Sequence, residues 1–293
     1  MKATGEALRF FVFTNLYIAA CVACFTSKTS LLLYGNYGNI HVILLAFSST
    51  VFLYGFHRIY RRFRLHSDEH GEERHRWVDK RKKLVTTIII TAFIIACYEM
   101  LYMPLRVWLM LAPVGIIAAG YSIPFIKTKK GYSRLRDISW LKALWIGIDY
   151  AWLTAFLPVA YLHPLHYLWQ PQVLFIFTEN LLFMFVLAVP FDIRDLEYDK
   201  RNGLHTVPVL LGIKGAVKLG IALLACFVVV VFIHLKYAGL GLNEALVLLV
   251  SAIEAACFIP LSKPEKPNLF FPLAIESSMI IQWALIIVAL KVL

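Results

Sequence analysis

The stretch Asp192-Ile193-Arg194-Asp195-Leu196-Glu197-Tyr198-Asp199, continued by Lys200-Arg201-Asn202-Gly203-Leu204-His205-Thr206-Val207-Pro208-Val209-Leu210-Leu211-Gly212, decides how this chain is read. An apolar run from Leu181 to Phe191 leads into it and another begins near Ala216, so its acids stand at the mouth of two hydrophobic segments. On a helix turning about 100° per residue, Asp192, Asp195 and Asp199 fall within roughly 60° of one another, while Glu197 and Arg201 point to the opposite side. Three carboxylates on one stripe repel unless a cation sits among them. Mg²⁺ suits such a stripe, because it commonly takes one or two protein carboxylates and completes its shell with water and substrate phosphate. Asp192, Asp195 and Asp199 are therefore the candidate metal ligands and the candidate catalytic residues. Gly203, Pro208 and Gly212 are expected to interrupt the helix beyond them.

Composition sets the surroundings of that stripe. Of 293 residues, 60% are hydrophobic and only 16% charged, and the mean hydropathy is +0.72. These values belong to a membrane protein. Apolar runs of the length that spans a bilayer, about 20 residues, are read at 9–33, 40–58, 84–103, 105–125, 141–162, 172–191, 214–236, 244–261 and 271–291. The expected architecture is an all-α, polytopic membrane bundle of about nine transmembrane helices, with residues 1–293 forming one integral-membrane domain. If the N-terminus is cytoplasmic, all but four of the 29 Lys and Arg side chains (Lys28, Arg106, Lys236 and Lys291) fall on the inner side. That asymmetry fixes the orientation and places the chemistry-bearing loops in the cytoplasm. The net charge of +11 is thus a topology signal and does not call for nucleic acid. Cys21, Cys24, Cys97, Cys226 and Cys257 all lie in apolar runs and read as small core residues.

Two further inner segments carry candidate anion ligands. Tyr54, His57, Arg58 and Arg61 share one helical face at the end of the second span. Such a face serves either lipid headgroups and topology or a bidentate grip on a diphosphate. Beyond it, His66 and His70 sit four residues apart in a loop of alternating charge, which reads as solvated surface. The second inner segment, Tyr121 to Arg136, breaks at Pro124 and supplies Lys127, Lys129, Lys130, Arg134 and Arg136. Within the spans, Asn15, Glu99, Asp149, Glu179, Asn180, Glu254 and Glu276 are costly in lipid and are expected to face the bundle interior or an interface.

The pattern Asp192-xx-Asp195-xxx-Asp199-xxx-Gly203-xx-Thr206-x-Pro208-xxx-Gly212 resembles the second aspartate-rich motif of the UbiA-type intramembrane prenyltransferases. The run Tyr121-Ser122-x-Pro124-xx-Lys127 is similar to that family's segment at the end of its fourth helix. The resemblance implies transfer of a prenyl group from an isoprenoid diphosphate to a membrane-held acceptor. It implies Mg²⁺ on Asp192, Asp195 and Asp199, with Lys127 and Arg134 on the diphosphate. The chemistry agrees: ionising an allylic diphosphate needs charge neutralisation on the leaving group, an apolar cavity for the chain and exclusion of water. One departure stands out. The family's first motif, an Asn followed by aspartates on the end of the second helix, would fall at residues 53–64, and no acid occurs there. Either Arg58, Arg61 and His57 replace a metal ion and bind phosphate oxygens directly, or the chain keeps the fold without prenyl transfer and binds an isoprenoid or another lipid. Recruitment of Asp68, Glu69 and Glu72 from the following loop is a third route.

Overall fold

The computed structural model describes residues 2–65, 73–124, 126–128, 131–135 and 141–292. Long apolar runs satisfy every backbone group internally only as helices, which is what a bilayer demands. The chain accordingly folds as α1 (Lys2–Phe13), α2 (Leu16–Tyr34), α3 (Ile40–Leu65), α4 (Glu73–Lys80), α5 (Lys82–Leu101) and α6 (Leu105–Ser122). After a small antiparallel hairpin of β1 (Ile126–Thr128) and β2 (Gly131–Ser133) come α7 (Leu141–Leu162), α8 (Pro171–Arg194) and α9 (Leu196–Arg201). The chain then continues through α10 (Val207–Tyr237), α11 (Leu242–Phe258) and α12 (Ser277–Val292).

Among the described residues eight helical segments are long and apolar enough to cross a membrane, and the shorter apolar segment Leu105–Tyr121 makes nine. This is an integral, multi-pass membrane protein. Helices α2, α7 and α8 form the inside of the bundle, where about two thirds of each span is buried, against 28% for the spans of α5, α10 and α12. The outer faces carry Ile90, Phe93 and Ile94 on α5, Val229 and Phe232 on α10, and Val250 and Ile253 on α11. Apolar side chains of this size are at home in lipid.

The first run departs from the expected continuous span 9–33. It breaks at Thr14-Asn15, where Asn15 adopts a left-handed backbone with φ 67°, so α1 is a separate helix. At the far end of α2, Gly35 takes φ 66° and its N–H donates to the Leu31 carbonyl at 3.0 Å. A glycine fits that left-handed turn without a Cβ clash. Polar side chains inside the bundle find one another: Lys28 Nζ donates to Asn180 Oδ1 and Gln282 Oε1, both at 2.7 Å, and His234 Nδ1 lies 2.8 Å from Glu179 Oε1. Buried polar groups in lipid are tolerated on such terms.

Alternation of the nine spans brings the starts of α2, α5, α7, α10 and α12 and the ends of α3, α6, α8 and α11 to one end of the bundle. Entry into α12 is a π-helical turn, Phe271–Glu276, a geometry that rotates side chains off the α-helical schedule.

Candidate active site

The carboxylate stripe is built across a helix break. Helix α8 ends at Arg194, Asp195 (φ −85°, ψ 4°) caps it, and α9 carries Asp199. The break leaves the acids on one side: Asp192 and Asp199 are buried, Asp195 is half-buried, and Glu197 is exposed and pairs with Lys200 at 3.2 Å. Gly203 (φ 65°) turns the chain after α9, Pro208 occupies the first turn of α10, and Gly212 (φ 69°) kinks that helix. These interruptions lie where the sequence places them.

At the centre of the stripe sits a cation from another helix. Lys142, one residue into α7, is buried, and its Nζ lies 2.8 Å from Asp192 Oδ1, 3.2 Å from Asp199 Oδ2 and 3.9 Å from Asp195 Oδ2. Asp195 is also held by its neighbour Arg194, whose Nε donates to Oδ1 at 2.8 Å and Nη2 to Oδ2 at 3.2 Å. The other oxygens of the buried pair, Asp192 Oδ2 and Asp199 Oδ1, have no hydrogen-bond partner. A buried acceptor left unmade is costly, and hard carboxylate oxygens are what Mg²⁺ seeks. The donor set therefore fits a divalent ion chemically. Even so, no three His, Cys, Asp or Glu side chains among the described residues converge as a ready-made metal cage; the acids are arranged around the ammonium.

Asp192 and Asp195 of the stripe line a cavity of about 210 Å³, which Asp199 does not reach. Lys142, Arg194, Asp192, Asp195, Arg74 and Glu276 supply its charge. Ile18, Ile146, Met184, Leu187 and Met279 extend it as an apolar lining. The Tyr54 and Tyr150 hydroxyls, 2.5 Å apart, close the polar part. Glu276, carried by the π-helical turn, lies within electrostatic reach of Arg74 and Arg194. A larger open groove of about 600 Å³ lies between the start of α10 and the segment after α11, with Lys214, Lys218 and Lys263 at its rim. It holds none of the carboxylate stripe, so the smaller, more polar cavity is the candidate site.

Of the basic face at the end of α3, Arg58 is engaged within the protein. Arg58 Nη1 donates to the Phe13 carbonyl and Nη2 to Asn15 Oδ1, both at 2.7 Å, and the same Asn15 Oδ1 accepts from Arg74 Nη2 at 2.6 Å. The His57 ring stands 5.7 Å from that of Tyr121. The side chain of Arg61 and the whole of His66 to Glu72 lie outside the described residues. Lys127, in β1, is exposed, and Arg134, just past β2, is half-buried; neither lines the cavity. Lys142 and Arg74, which do line it, were not singled out as ligands by the sequence. Their contacts are tertiary, and the only local signal for Lys142 is a lysine at the very start of an apolar run.

The sequence model of the UbiA prenyltransferase family matches residues 78–277, more than half of the chain. The chain belongs to the UbiA prenyltransferase family. By family it is a prenyltransferase. No curated protein matches it in sequence. Solved structures of UbiA homologues share the fold. One from Archaeoglobus fulgidus bound to GPP and Mg²⁺ aligns with a TM-score of 0.64 at 13% identity, covering 97% of this chain and 99% of that one. An apo homologue from Aeropyrum pernix K1 gives 0.59 at 18% identity, with 91% and 97% covered. A digeranylgeranylglyceryl phosphate synthase gives 0.54 at 15% identity, with 100% and 98% covered. At such identities the likeness is one of fold, and the UbiA bundle is what these nine helices form.

Proposed function

We propose that this UbiA family member transfers a prenyl group from an isoprenoid diphosphate to an acceptor dissolved in the membrane, with Mg²⁺ held on Asp192, Asp195 and Asp199. The carrying observation is the pair of buried, unpartnered oxygens, Asp192 Oδ2 and Asp199 Oδ1, of which Asp192 belongs to a polar wall that continues into an apolar cavity. The A. fulgidus homologue bound to GPP and Mg²⁺ supports the same pairing of ligand and ion. The reaction breaks the allylic C–O bond, joins the allylic carbon to the acceptor, and releases diphosphate and the acceptor's proton. Bound Mg²⁺ would neutralise charge building on the departing diphosphate. The chain's own cations assist: Lys142, Arg74 and Arg194 point toward the same cavity, and preorganised charge acts most strongly where water is excluded. Ile18, Ile146 and Met184 shelter the allylic carbon from water. Arg58 holds the break after α1 and shares the Asn15 acceptor with Arg74; Arg61, His57, Lys127 and Arg134 are the further diphosphate ligands of this reading. The whole chain acts as one domain, with its active end in the cytoplasm and, in a bacterium, in the cytoplasmic membrane.

The test is release of pyrophosphate from farnesyl or geranylgeranyl diphosphate by purified protein with candidate acceptors. Release should require Mg²⁺ and fall by about 10²-fold or more in Asp192→Asn and Asp199→Asn, the size of effect seen when one electrostatic stabiliser is removed. Unchanged release in both variants would remove the proposal. A second reading, binding of an isoprenoid or other lipid without transfer, is favoured by the absence of any acid from Leu53 to Arg64. It predicts saturable isoprenoid binding and intact diphosphate under every acceptor.

A further inference from the structure

Lys142 is an unusual guest in a metal site. A lysine ammonium is a compact, fixed positive charge on a flexible stem. Here it is buried and in contact with one oxygen of each of three carboxylates: Asp192 Oδ1, Asp199 Oδ2 and, at longer range, Asp195 Oδ2. It thus occupies the position between the acids that a free cation would find most attractive. Two consequences follow from its charge alone. The acids are already gathered in the substrate-free protein, because their mutual repulsion is offset. A free divalent ion approaching Asp192 Oδ2 and Asp199 Oδ1 also meets a like charge held a few ångströms away.

Diphosphate changes that balance. Its anionic oxygens accept from an ammonium as well as carboxylates do. Lys142 lines the cavity in which the diphosphate would lie, and its stem allows the Nζ to turn from the acids to phosphate oxygens. Divalent ion and diphosphate entering together therefore bring the negative charge that relieves the lysine's repulsion of the metal.

We propose that Lys142 is a positioning residue that serves as the site's built-in cation: it preassembles Asp192, Asp195 and Asp199, weakens their hold on free divalent ion, and so makes the metal enter with the diphosphate. This rests on the reading that the three aspartates hold a divalent ion.

The experiment is Mn²⁺ binding to the full-length protein in nanodiscs, followed by the paramagnetic resonance of free Mn²⁺, with and without inorganic pyrophosphate. Wild-type protein should bind Mn²⁺ weakly alone and at least about tenfold more tightly with pyrophosphate, a coupling of about 1.4 kcal/mol. Lys142→Met should bind Mn²⁺ alone at least about tenfold more tightly than wild type and lose most of the pyrophosphate enhancement. Lys142→Arg, which keeps the charge, should behave as wild type. Equal or weaker Mn²⁺ binding by Lys142→Met overturns the proposal, since the ammonium would then act mainly by gathering the acids and not by repelling a free ion. Tight Mn²⁺ binding by wild type without pyrophosphate overturns it too, and that measurement stands even if the methionine variant does not fold. Pyrophosphate release from a prenyl diphosphate, followed in the same preparation, reports on transfer separately. The Mn²⁺ pattern without release would remove the transferase reading and leave the lysine's role intact. Release without the pattern would do the reverse.

Discussion

Asn15 is fully buried, holds a left-handed backbone, and gives its Oδ1 to two guanidiniums, Arg58 and Arg74. Hydrogen bonds to charged groups contribute about 1.5–3 kcal/mol each, and the left-handed region suits Asn better than most residues. Asn15→Ala is expected to cost about 3 kcal/mol or more and to lower the apparent melting midpoint in detergent. Asn15→Asp, which keeps the acceptor, should retain most of it; equal losses for the two variants would show that the two arginines do not depend on this oxygen. At this scale the sequence was only partly legible. The aspartate stripe could be read because its members lie within eight residues of one another and share a face. Lys142 could not, because its contacts span 50 residues or more in sequence. The basic face of α3 was readable as a face, but Arg58's engagement with Asn15 depends on a backbone break that no apolar run announces.

The active end is held by the packing of α7 against α8. Gly147, one and a half turns beyond Lys142, lies so close to α8 that a Cβ there would stand 3.4 Å from the Leu181 side chain and from the Phe185 backbone nitrogen. An alanine would just fit; a larger side chain would drive the two helices apart. Gly147→Leu is expected to cost about 1–3 kcal/mol as overpacking and to reduce pyrophosphate release, because it separates Lys142 on α7 from the carboxylates at the end of α8 and on α9. Gly147→Ala should leave both stability and release near wild type, and a loss equal to that of leucine would place the constraint elsewhere. Helix positions were legible because long apolar runs in a bilayer have one solution. The separation of α1 from α2 was not, since residues 9–33 are apolar on both sides of Asn15. Nor was the π-helical turn that puts Glu276 on the cavity wall, as its signal is a backbone register and not a composition.

For the molecule as a whole, the sequence assigns all but four of its Lys and Arg residues to the side on which the carboxylate stripe lies, which motivates a cytoplasmic active end. In a variant freed of its native cysteines, Glu197→Cys should react with a membrane-impermeant maleimide in inverted vesicles and Tyr37→Cys in right-side-out ones; both positions are exposed. The opposite pattern would invert the topology. The central claim is prenyl transfer at the aspartate stripe, and the most direct measurement is the fate of radiolabelled geranylgeranyl diphosphate in native membranes carrying wild-type or Asp192→Asn protein. The account predicts an Mg²⁺-dependent, lipid-extractable prenylated product with wild type and little with the variant. Recovery of the label as intact diphosphate, bound to wild-type protein and never transferred, would contradict it.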